Sequence, residues 1–325
     1  MKKVHFLLPD GRIKPSLMLL AIEVFETVND YLISKGDKPY YEIKIVGYDL
    51  LQQVWNSQMH IKVENVSIAG SPDLIIIPGG SEKNDYSKKG NKNLTRWISE
   101  QYKNGAELAS LCTGSFLLAS TGLLNNMECT THWKMSNVFT EKYPETKFCS
   151  DKIITECKGI YTASGAISSM NLVLHLIEKY NGRQVAVYCS KMMHIDMDRN
   201  SQSAFVIFEG QKNHSDDTIK KIQSFIEKSI DDKISVDYLA EKFFIPKRSL
   251  VRRFKKATHN LPIEYIQRTK IEAAKRKLES NRKSINEIMY EVGYTDTKAF
   301  RNMFKKIAGL SPIEYRKKYN KDFAH

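Results

Sequence analysis

The stretch Phe254-Lys255-Lys256, followed by Pro262-Ile263-Glu264-Tyr265, occurs twice in this chain. It returns fifty positions later as Phe304-Lys305-Lys306, followed by Pro312-Ile313-Glu314-Tyr315. A repeat with a fixed period indicates that one supersecondary unit is used more than once. The C-terminal part of the chain is therefore predicted to contain two copies of the same unit.

Charge is distributed unevenly along the 325 residues. Residues 1–210 hold 23 Lys and Arg against 22 Asp and Glu, whereas residues 211–325 hold 27 against 15, so the second part carries +12 of the total +13. Such an excess in a short domain is typical of a protein that binds a polyanion, most often nucleic acid. A lysine-rich surface that serves solubility is the alternative.

The N-terminal sequence and the cysteine pattern favour a cytoplasmic location. The apolar run at residues 4–8 stops at Pro9-Asp10-Gly11, which is typical of a buried strand and a turn rather than of an export signal. No apolar run is long enough for a membrane span, and the five cysteines form no Cys-x-x-Cys pair. We therefore expect a protein without disulfides, bound metal, cofactor or membrane partner.

Residues 1–208 alternate apolar strand patterns with amphipathic helix patterns. The predicted strands are 4–8, 43–46, 73–78 and 107–111. The predicted helices are 17–33, 94–102, 168–180 and 183–193. This alternation is typical of βαβ units and predicts an α/β fold, in which helices cover both faces of the sheet. Residues 195–211 show no pattern that assigns a structure.

A polar, turn-rich segment at residues 209–216 marks the point where the charge balance changes. We predict that it links an α/β domain over residues 1–208 to an all-α domain over residues 217–325. Capping residues and prolines predict where the helices of the second domain begin, at Asp216, Ser235, Pro246, Pro262, Ser284, Asp296 and Pro312.

Each copy of the repeat has the pattern of a short helix, a tight connection and a second helix rich in Lys and Arg. This order predicts a helix-turn-helix, whose second helix can enter the major groove of DNA. Helical spacing directs Leu250 with Phe254, and Phe300 with Phe304, toward the core. The residues left to face DNA are Lys247, Arg248, Val251, Arg252 and Lys255 in the first copy, and Thr297, Lys298, Arg301, Asn302 and Lys305 in the second.

Residues 217–319 resemble the DNA-binding domain of the AraC-type transcription regulators, in which a long helix joins two helix-turn-helix units. The matching residues are Leu239-Ala240, Leu250, Arg252, Phe254-Lys255, Pro262, Tyr265-Ile266, Ile288, Val292-Gly293-Tyr294, Phe300, Phe304-Lys305-Lys306, Gly309, Ser311-Pro312 and Tyr315-Arg316. The resemblance implies binding to double-stranded DNA, with RNA polymerase as a candidate partner. The family usually has Arg where this chain has Asn302, with Arg301 one place earlier, so base contacts there are expected to differ.

Cys112 lies at a sharp turn from a predicted strand into a helix, in the sequence Leu111-Cys112-Thr113-Gly114-Ser115. This arrangement is typical of a nucleophile elbow, where a helix N-terminus favours the thiolate. His132 is a candidate general base, and Gly79-Gly80 is a candidate source of backbone N–H donors for an oxyanion. A buried, inert cysteine with a structural histidine explains the same residues equally well.

The first domain resembles the PfpI-like domains of the class I glutamine-amidotransferase superfold, and the whole chain resembles regulators of the GlxA kind. The matching residues are Glu23-Val24-Phe25, Pro78-Gly79-Gly80, residues 112–119, Gly122-Leu123-Leu124, Thr131-His132-Trp133 and residues 162–165. The resemblance implies a flavodoxin-like sandwich. Enzymes of the superfold usually place Asp or Glu where this chain has Leu17, and such regulators often carry Asp at Asn171. We therefore interpret Cys112 and His132 as a degenerate catalytic pair and expect no catalysis.

The combined prediction is a bacterial, cytoplasmic transcription regulator. Its first domain is expected to form a homodimer and to sense an unknown small molecule at Gly79, Gly80, Cys112, Thr113 and His132. Ligand binding would then change the affinity of the DNA-binding domains for paired half-sites. Two alternatives stay open: a cysteine-dependent hydrolase or hydratase with a DNA-binding tail, and a redox sensor that uses oxidation of Cys112.

Overall fold

The computed structural model describes residues 1–11, 13–48, 51–54, 59–80 and 89–320. The chain divides into two compact units, Met1–Gln202 and Ser203–His325. The first has an α/β fold and the second is helical, which confirms the predicted fold class. The division falls after Gln202 rather than after residue 208, because residues 203–216 pack within the second unit. The predicted linker, residues 209–216, is part of that unit, where Gln223 Nε2 donates to the Gln211 carbonyl at 2.9 Å.

The first unit contains eleven strands and six helices in its described part. The strands are β1 (Lys2–Leu7), β2 (Tyr41–Gly47), β3 (Leu51–Val54), β4 (Met59–Lys62), β5 (Glu64–Asn65), β6 (Leu74–Ile77), β7 (Glu107–Ser110), β8 (Glu128–Cys129), β9 (Lys147–Phe148), β10 (Ile154–Cys157) and β11 (Ile160–Ala163). The helices are α1 (Pro15–Ser34), α2 (Lys89–Lys103), α3 (Ser115–Ala119), α4 (Ser136–Lys142), α5 (Ser168–Asn181) and α6 (Arg183–Met192).

Seven of these strands form one sheet in the order β10-β11-β7-β6-β1-β2-β5. All neighbouring pairs are parallel except β10 with β11. The strand order reverses between β1 and β6, because β2 pairs with one side of β1 and β6 with the other. Open α/β sheets bind ligands at the carboxyl ends of the strands beside such a reversal. The turns that follow β6 and β7 carry Gly79-Gly80 and Cys112, so these residues lie at that edge of the sheet.

Burial on both faces of the sheet explains the continuous apolar runs of the central strands. In β6, Leu74 and Ile76 face a core formed with α1, α5 and α6, whereas Ile75 and Ile77 face a second core formed with α2, α3 and α4. A strand that is covered by helices on both sides has no solvent-facing position. Its sequence is therefore apolar throughout instead of alternating.

Seven helices form the described part of the second unit. They are α7 (Asp217–Lys228), α8 (Val236–Lys242), α9 (Lys247–Thr258), α10 (Pro262–Ser280), α11 (Ile285–Glu291), α12 (Thr297–Ala308) and α13 (Pro312–Tyr319). Each begins within one residue of its predicted start, because Asp216, Ser235, Ser284 and Asp296 accept a hydrogen bond from the first turn. None of the helices in the described ranges combines the length and the apolar character that a bilayer crossing requires.

Both copies of the repeat are built around a buried phenylalanine and tyrosine that meet edge to face. The pairs are Phe254 with Tyr265, at 5.3 Å between ring centroids, and Phe304 with Tyr315, at 5.5 Å. Each tyrosine hydroxyl donates to a glutamate near the end of an earlier helix, Glu227 of α7 at 2.8 Å and Glu279 of α10 at 2.6 Å. Helix α10 therefore supports the second copy as α7 supports the first.

Lys270, in the middle of α10, is 6% exposed and connects the two copies. Its Nζ donates to the Asp232 carbonyl oxygen at 2.9 Å, before α8, and to the Gly293 carbonyl oxygen at 3.4 Å, between α11 and α12. Burial lowers the pKa of the Lys270 ammonium below its usual value. Gly293 has a φ of +71°, and a Cβ there would lie 2.3 Å from Lys270 Nζ. Glycine is therefore required at this turn for both conformation and space.

We expect Gly293→Ala to destabilise the second unit by about 2–5 kcal/mol, because left-handed strain adds to the loss of buried hydrogen bonds from Lys270. The measurement is urea unfolding followed by the helical circular dichroism signal. Gly36→Ala, in the first unit, measures the cost of left-handed strain alone, since Gly36 has a φ of +87° but no heavy atom within 4 Å of the new Cβ. Equal losses for the two variants would show that Lys270 contributes nothing.

His5, on β1, is fully buried and faces the helix α2 side of the sheet. Its ring stacks on Trp97, with centroids 6.5 Å apart. Neither imidazole nitrogen has a hydrogen-bond partner among the residues that the structure describes. Burial, with a smaller contribution from the Lys44 charge, lowers the pKa of His5 to about 4. The imidazole is therefore neutral in the folded protein at pH 7.

We expect the first unit to lose stability as the pH falls from about 6.5 to about 4. In this window the unfolded chain protonates His5 and the folded chain does not, so the contribution is complete above pH 6.5 and its loss reaches about 3 kcal/mol. All three tryptophans lie in residues 1–202, so tryptophan fluorescence during urea unfolding reports on this unit. His5→Leu should flatten the dependence, whereas His194→Asn, at an exposed histidine, should keep it. A wild-type slope in His5→Leu would refute this assignment.

Candidate functional site

Cys112 follows β7 in a strained backbone conformation. Its φ is +55°, in a region that non-glycine residues seldom adopt, and a short 3-10 turn, Cys112–Gly114, leads into α3. The turn is held against β6, because a Cβ on Gly114 would lie 2.3 Å from the Ile77 carbonyl oxygen. The predicted elbow is therefore present, but Cys112 is 0% exposed.

The Gly79-Gly80 turn after β6 is hydrogen-bonded to Thr113. Gly80 N–H donates to Thr113 Oγ1 at 2.8 Å, and the Thr113 hydroxyl donates to the Gly80 carbonyl oxygen at 2.9 Å. A Cβ on Gly79 would lie 3.0 Å from Cys112 Cβ. The structure thus brings Gly79, Gly80, Cys112 and Thr113 together. The expectation that Gly80 offers a free oxyanion donor is wrong, because the Thr113 hydroxyl already accepts from its N–H.

His132 lies between β8 and α4, half-buried against Gly165, where a Cβ would sit 2.0 Å from His132 Cδ2. Its loop is bonded to the elbow, since Thr131 Oγ1 donates to the Cys112 carbonyl oxygen at 3.1 Å. His132 Nδ1 accepts from Lys134 N–H at 3.2 Å, which places the proton of a neutral imidazole on Nε2. A general base needs a free lone pair. This hydrogen bond therefore opposes the role of His132 as a base for Cys112.

Leu17 occupies the position where enzymes of the superfold usually carry a carboxylate. Helix α1 begins beside the Gly79-Gly80 turn, because Ile13 forms a β-bridge with Gly80 and Lys14 N–H donates to the Gly79 carbonyl oxygen at 2.8 Å. Leu17 lies in the first turn of α1 and is 6% exposed. A buried apolar side chain thus occupies the position at which an enzyme of the superfold would need a proton acceptor.

Asn171 lies in α5 and is 7% exposed. Its Nδ2 donates to the Asp196 carbonyl oxygen at 2.5 Å, which holds the chain that returns from α6. A carboxylate at this position has no proton to donate at neutral pH, so the asparagine suits the bond that is present.

Gln202 was not singled out by the sequence, although it is bonded to the His132 loop. It is 2% exposed. Its Nε2 lies within hydrogen-bond distance of Thr130 Oγ1, the Thr131 carbonyl and the Lys152 carbonyl, at 3.3, 3.2 and 3.3 Å. Its Oε1 accepts from Trp133 N–H at 3.1 Å. No periodicity marks residues 195–211, so nothing local in the sequence distinguishes this glutamine from a surface residue.

The basic faces predicted for the two second helices point to solvent. Leu250, Phe254, Phe300 and Phe304 are all 0% exposed and hold α9 and α12 to the core. Val251 and Thr297 are half-buried. The other eight predicted DNA-facing residues are exposed, namely Lys247, Arg248, Arg252, Lys255, Lys298, Arg301, Asn302 and Lys305.

Two cations of α9 have carboxylate partners. Lys247 Nζ lies 2.8 Å from Asp237 Oδ1, with both side chains exposed. Arg253 forms two bonds to the Asp216 carboxylate, at 2.8 and 2.6 Å, which lower the pKa of Asp216. Arg253 thus holds the start of α7 to α9, whereas its neighbour Arg252 is exposed on the basic face.

A cavity of about 410 Å³ lies in the second unit, whereas the residues predicted to bind a ligand lie in the first. Its lining includes Phe208, Lys212, Glu227, Glu272 and Arg276. Charged groups of both signs face it, and Glu272 Oε2 accepts from Phe208 N–H at 3.2 Å. The cavity arises where the chain before α7 crosses α10. The sequence gives no sign of it, because residues 195–211 lack a pattern.

Comparison with known proteins gives a family for each unit. Residues 22–179 match the DJ-1/PfpI family, and residues 239–318 match a helix-turn-helix domain family. The HTH-type transcriptional regulator GbdR of Pseudomonas aeruginosa is 25% identical over 268 residues, which cover 82% of this chain and 72% of GbdR. The HTH-type transcriptional regulator GlxA of Rhizobium meliloti is 22% identical over 249 residues, which cover 75% of each protein.

A solved structure supports the fold of the first unit. The crystal structure of an AraC family transcriptional regulator from Pseudomonas putida covers 59% of this chain and 100% of its own, with a TM-score of 0.51 and 18% identity. At that identity the likeness concerns the fold alone. The two family matches and the named relatives confirm the resemblance read from the sequence. The chain therefore carries a DJ-1/PfpI family domain followed by a helix-turn-helix domain, which is the arrangement predicted from its resemblance to AraC-type regulators.

Proposed function

We propose that this chain regulates transcription by binding double-stranded DNA with its second unit, under the control of a small molecule bound by its first unit. The observation that carries the proposal is the pair of exposed basic faces on α9 and α12. Both are presented by copies of one unit that share α10, so they suit two successive major-groove contacts. Arg252, Arg301 and Asn302 have side chains that can read base edges, whereas the lysines supply phosphate contacts.

The proposed effector site is the edge of the sheet at Gly79, Gly80, Cys112, Thr113 and His132. Its position beside the strand-order reversal supports a ligand site. Three features favour sensing over catalysis. The Gly80 N–H is bonded to Thr113, the His132 lone pair faces a backbone N–H, and Leu17 replaces the carboxylate. Each of them removes a group that a cysteine hydrolase or hydratase would use.

The proposal also covers the oligomeric state, the protein partner and the cellular location. A homodimer formed through the first unit would present two DNA-binding units to paired half-sites, which is the usual geometry of dimeric helix-turn-helix regulators. RNA polymerase is the proposed protein partner at the promoter. The named relatives are bacterial regulators, and we place this protein in the bacterial cytoplasm.

We expect Arg252→Ala to weaken DNA binding by about 1–3 kcal/mol, because it removes a side chain placed to read a base. The measurement is fluorescence anisotropy with a duplex selected by the full chain from a random 40-base-pair library. Arg253→Ala is the matched control, since it removes the same charge at the next position, from a side chain that is bonded to Asp216.

The same titration is repeated over a range of salt concentrations. The logarithm of the affinity should fall steeply with the logarithm of the salt concentration, as phosphate contacts require. A flat salt response, or equal losses for Arg252→Ala and Arg253→Ala, would contradict the proposed orientation of α9 on DNA.

We expect no cysteine-dependent turnover by the full chain. Amide, isonitrile and α-oxoaldehyde substrates are incubated with the wild type and with Cys112→Ala, and product is quantified by mass spectrometry. The two proteins should be indistinguishable, because the Gly80 N–H is bonded to Thr113, His132 Nδ1 accepts from Lys134 N–H, and Leu17 replaces the carboxylate. Turnover that disappears in Cys112→Ala would overturn the sensor assignment in favour of an enzyme.

A further inference from the structure

Gln202 is the last residue of the first unit. Its buried amide is hydrogen-bonded to the backbone of Thr131 and Trp133, the two residues that flank His132. We propose that Gln202 is the coupling residue through which the His132 loop acts on the DNA-binding unit. The inference rests on the proposed function of the effector site in the first unit. It names the residue that would connect this site to the DNA-binding unit. Gln202 positions the loop and does not itself contact the ligand.

The contacts of Gln202 hold the His132 loop as one piece. The Thr131 carbonyl lies 3.2 Å from Gln202 Nε2, and Trp133 N–H donates to Gln202 Oε1 at 3.1 Å. These are the two residues that flank His132. The two amide protons of Gln202 lie within hydrogen-bond distance of three acceptors, so both donors of the amide are engaged. A movement of the backbone at Thr131 or Trp133 must therefore shift Gln202 or leave polar groups unpaired, which costs about 1–3 kcal/mol for each buried group.

The same loop is hydrogen-bonded to Cys112, in the proposed effector site. Thr131 Oγ1 donates to the Cys112 carbonyl oxygen, and the His132 ring packs directly on Gly165. Because Cys112 is 0% exposed, a ligand that reaches it has to displace neighbouring groups. Thr131 is one of these neighbours, so occupation of the effector site and the bonds of Gln202 depend on each other.

The residues that follow Gln202 are bonded within the DNA-binding unit. Tyr319 Oη donates to the Ala204 carbonyl oxygen at 3.2 Å. Lys275 Nζ donates to the Val206 carbonyl and forms a buried ion pair with Glu272 at 2.8 Å. Lys275 and Glu272 belong to α10, which supports both helix-turn-helix copies. Only Ser203 separates Gln202 from Ala204, and consecutive Cα atoms lie about 3.8 Å apart. A shift of Gln202 would therefore reach the second unit through a single intervening residue.

Gly165→Ala provides a displacement of the loop that needs no ligand. The new Cβ would lie 2.0 Å from His132 Cδ2, so the His132 ring has to move. We expect this variant to change the Kd for the selected 40-base-pair duplex by about fivefold or more, which is the lower end of typical coupling between sites. His132→Ala, which removes the ring from its contact with Gly165, is a second perturbation of the loop, used if Gly165→Ala lowers the yield of folded protein.

The decisive measurement is a double-mutant cycle with the full chain. In a Gln202→Ala background, Gly165→Ala should change the Kd by less than about twofold, because the connection is absent. Gln202→Glu, which keeps the acceptor oxygen but loses the donor, is the second variant should Gln202→Ala not fold. Asn29→Ala is the matched control. Asn29 also holds a loop through its amide, with bonds of 2.9 Å to the Tyr40 and Tyr41 backbone, but lies elsewhere in the first unit.

The proposal is supported if the Gly165→Ala effect vanishes with Gln202 substituted and persists with Asn29→Ala. It is overturned if the effect persists without Gln202, or if neither Gly165→Ala nor His132→Ala alters the Kd. These outcomes differ from a failure of the proposed function. In that case the wild-type chain would select no duplex from the library at all.

Discussion

The second unit depends on a buried tyrosine that meets a phenylalanine edge to face and donates its hydroxyl to a glutamate. A buried hydroxyl needs an acceptor, and Glu227 and Glu279 supply it in the two copies. Burial and these hydrogen bonds raise the pKa of Tyr265 and Tyr315, which keeps both hydroxyls protonated as donors. The phenylalanine of each second helix is thereby fixed inward, and the helical period leaves its basic residues outward.

The first unit keeps the backbone of a nucleophile elbow while the groups around it have other partners. The positive φ of Cys112 is conformational strain that the close contact between Gly114 and β6 maintains. Around the cysteine, Thr113 is bonded to the Gly80 N–H, and Thr131 to the Cys112 carbonyl. In such a site the cysteine is closed off from solvent. A closed site of this kind suits regulation, because a ligand that opens it changes many hydrogen bonds together.

Prediction from the sequence succeeded where the deciding interactions are local. The helix starts of the second unit agree within one residue, since capping residues such as Ser284 act on the turn that follows them. The inward and outward faces of α9 and α12 agree as well, because Phe254 and Phe304 keep the helical period. Compact packing divides the chain after Gln202, six residues before the predicted boundary. Residues 203–216 gain their order from partners such as Lys275 and Gln223, which are distant in sequence.

The sequence by itself determined the two fold classes, the repeat, the basic faces and the residues that meet at the edge of the sheet. These follow from periodicity, capping and the alternation of strand and helix patterns, which are short-range properties. Only the tertiary structure decided that Cys112 is buried, that the Gly80 N–H is used, and that Gln202 joins the His132 loop to the end of the first unit. Burial and hydrogen-bond partnership are set by residues far apart in the chain, so a single sequence carries no local sign of them.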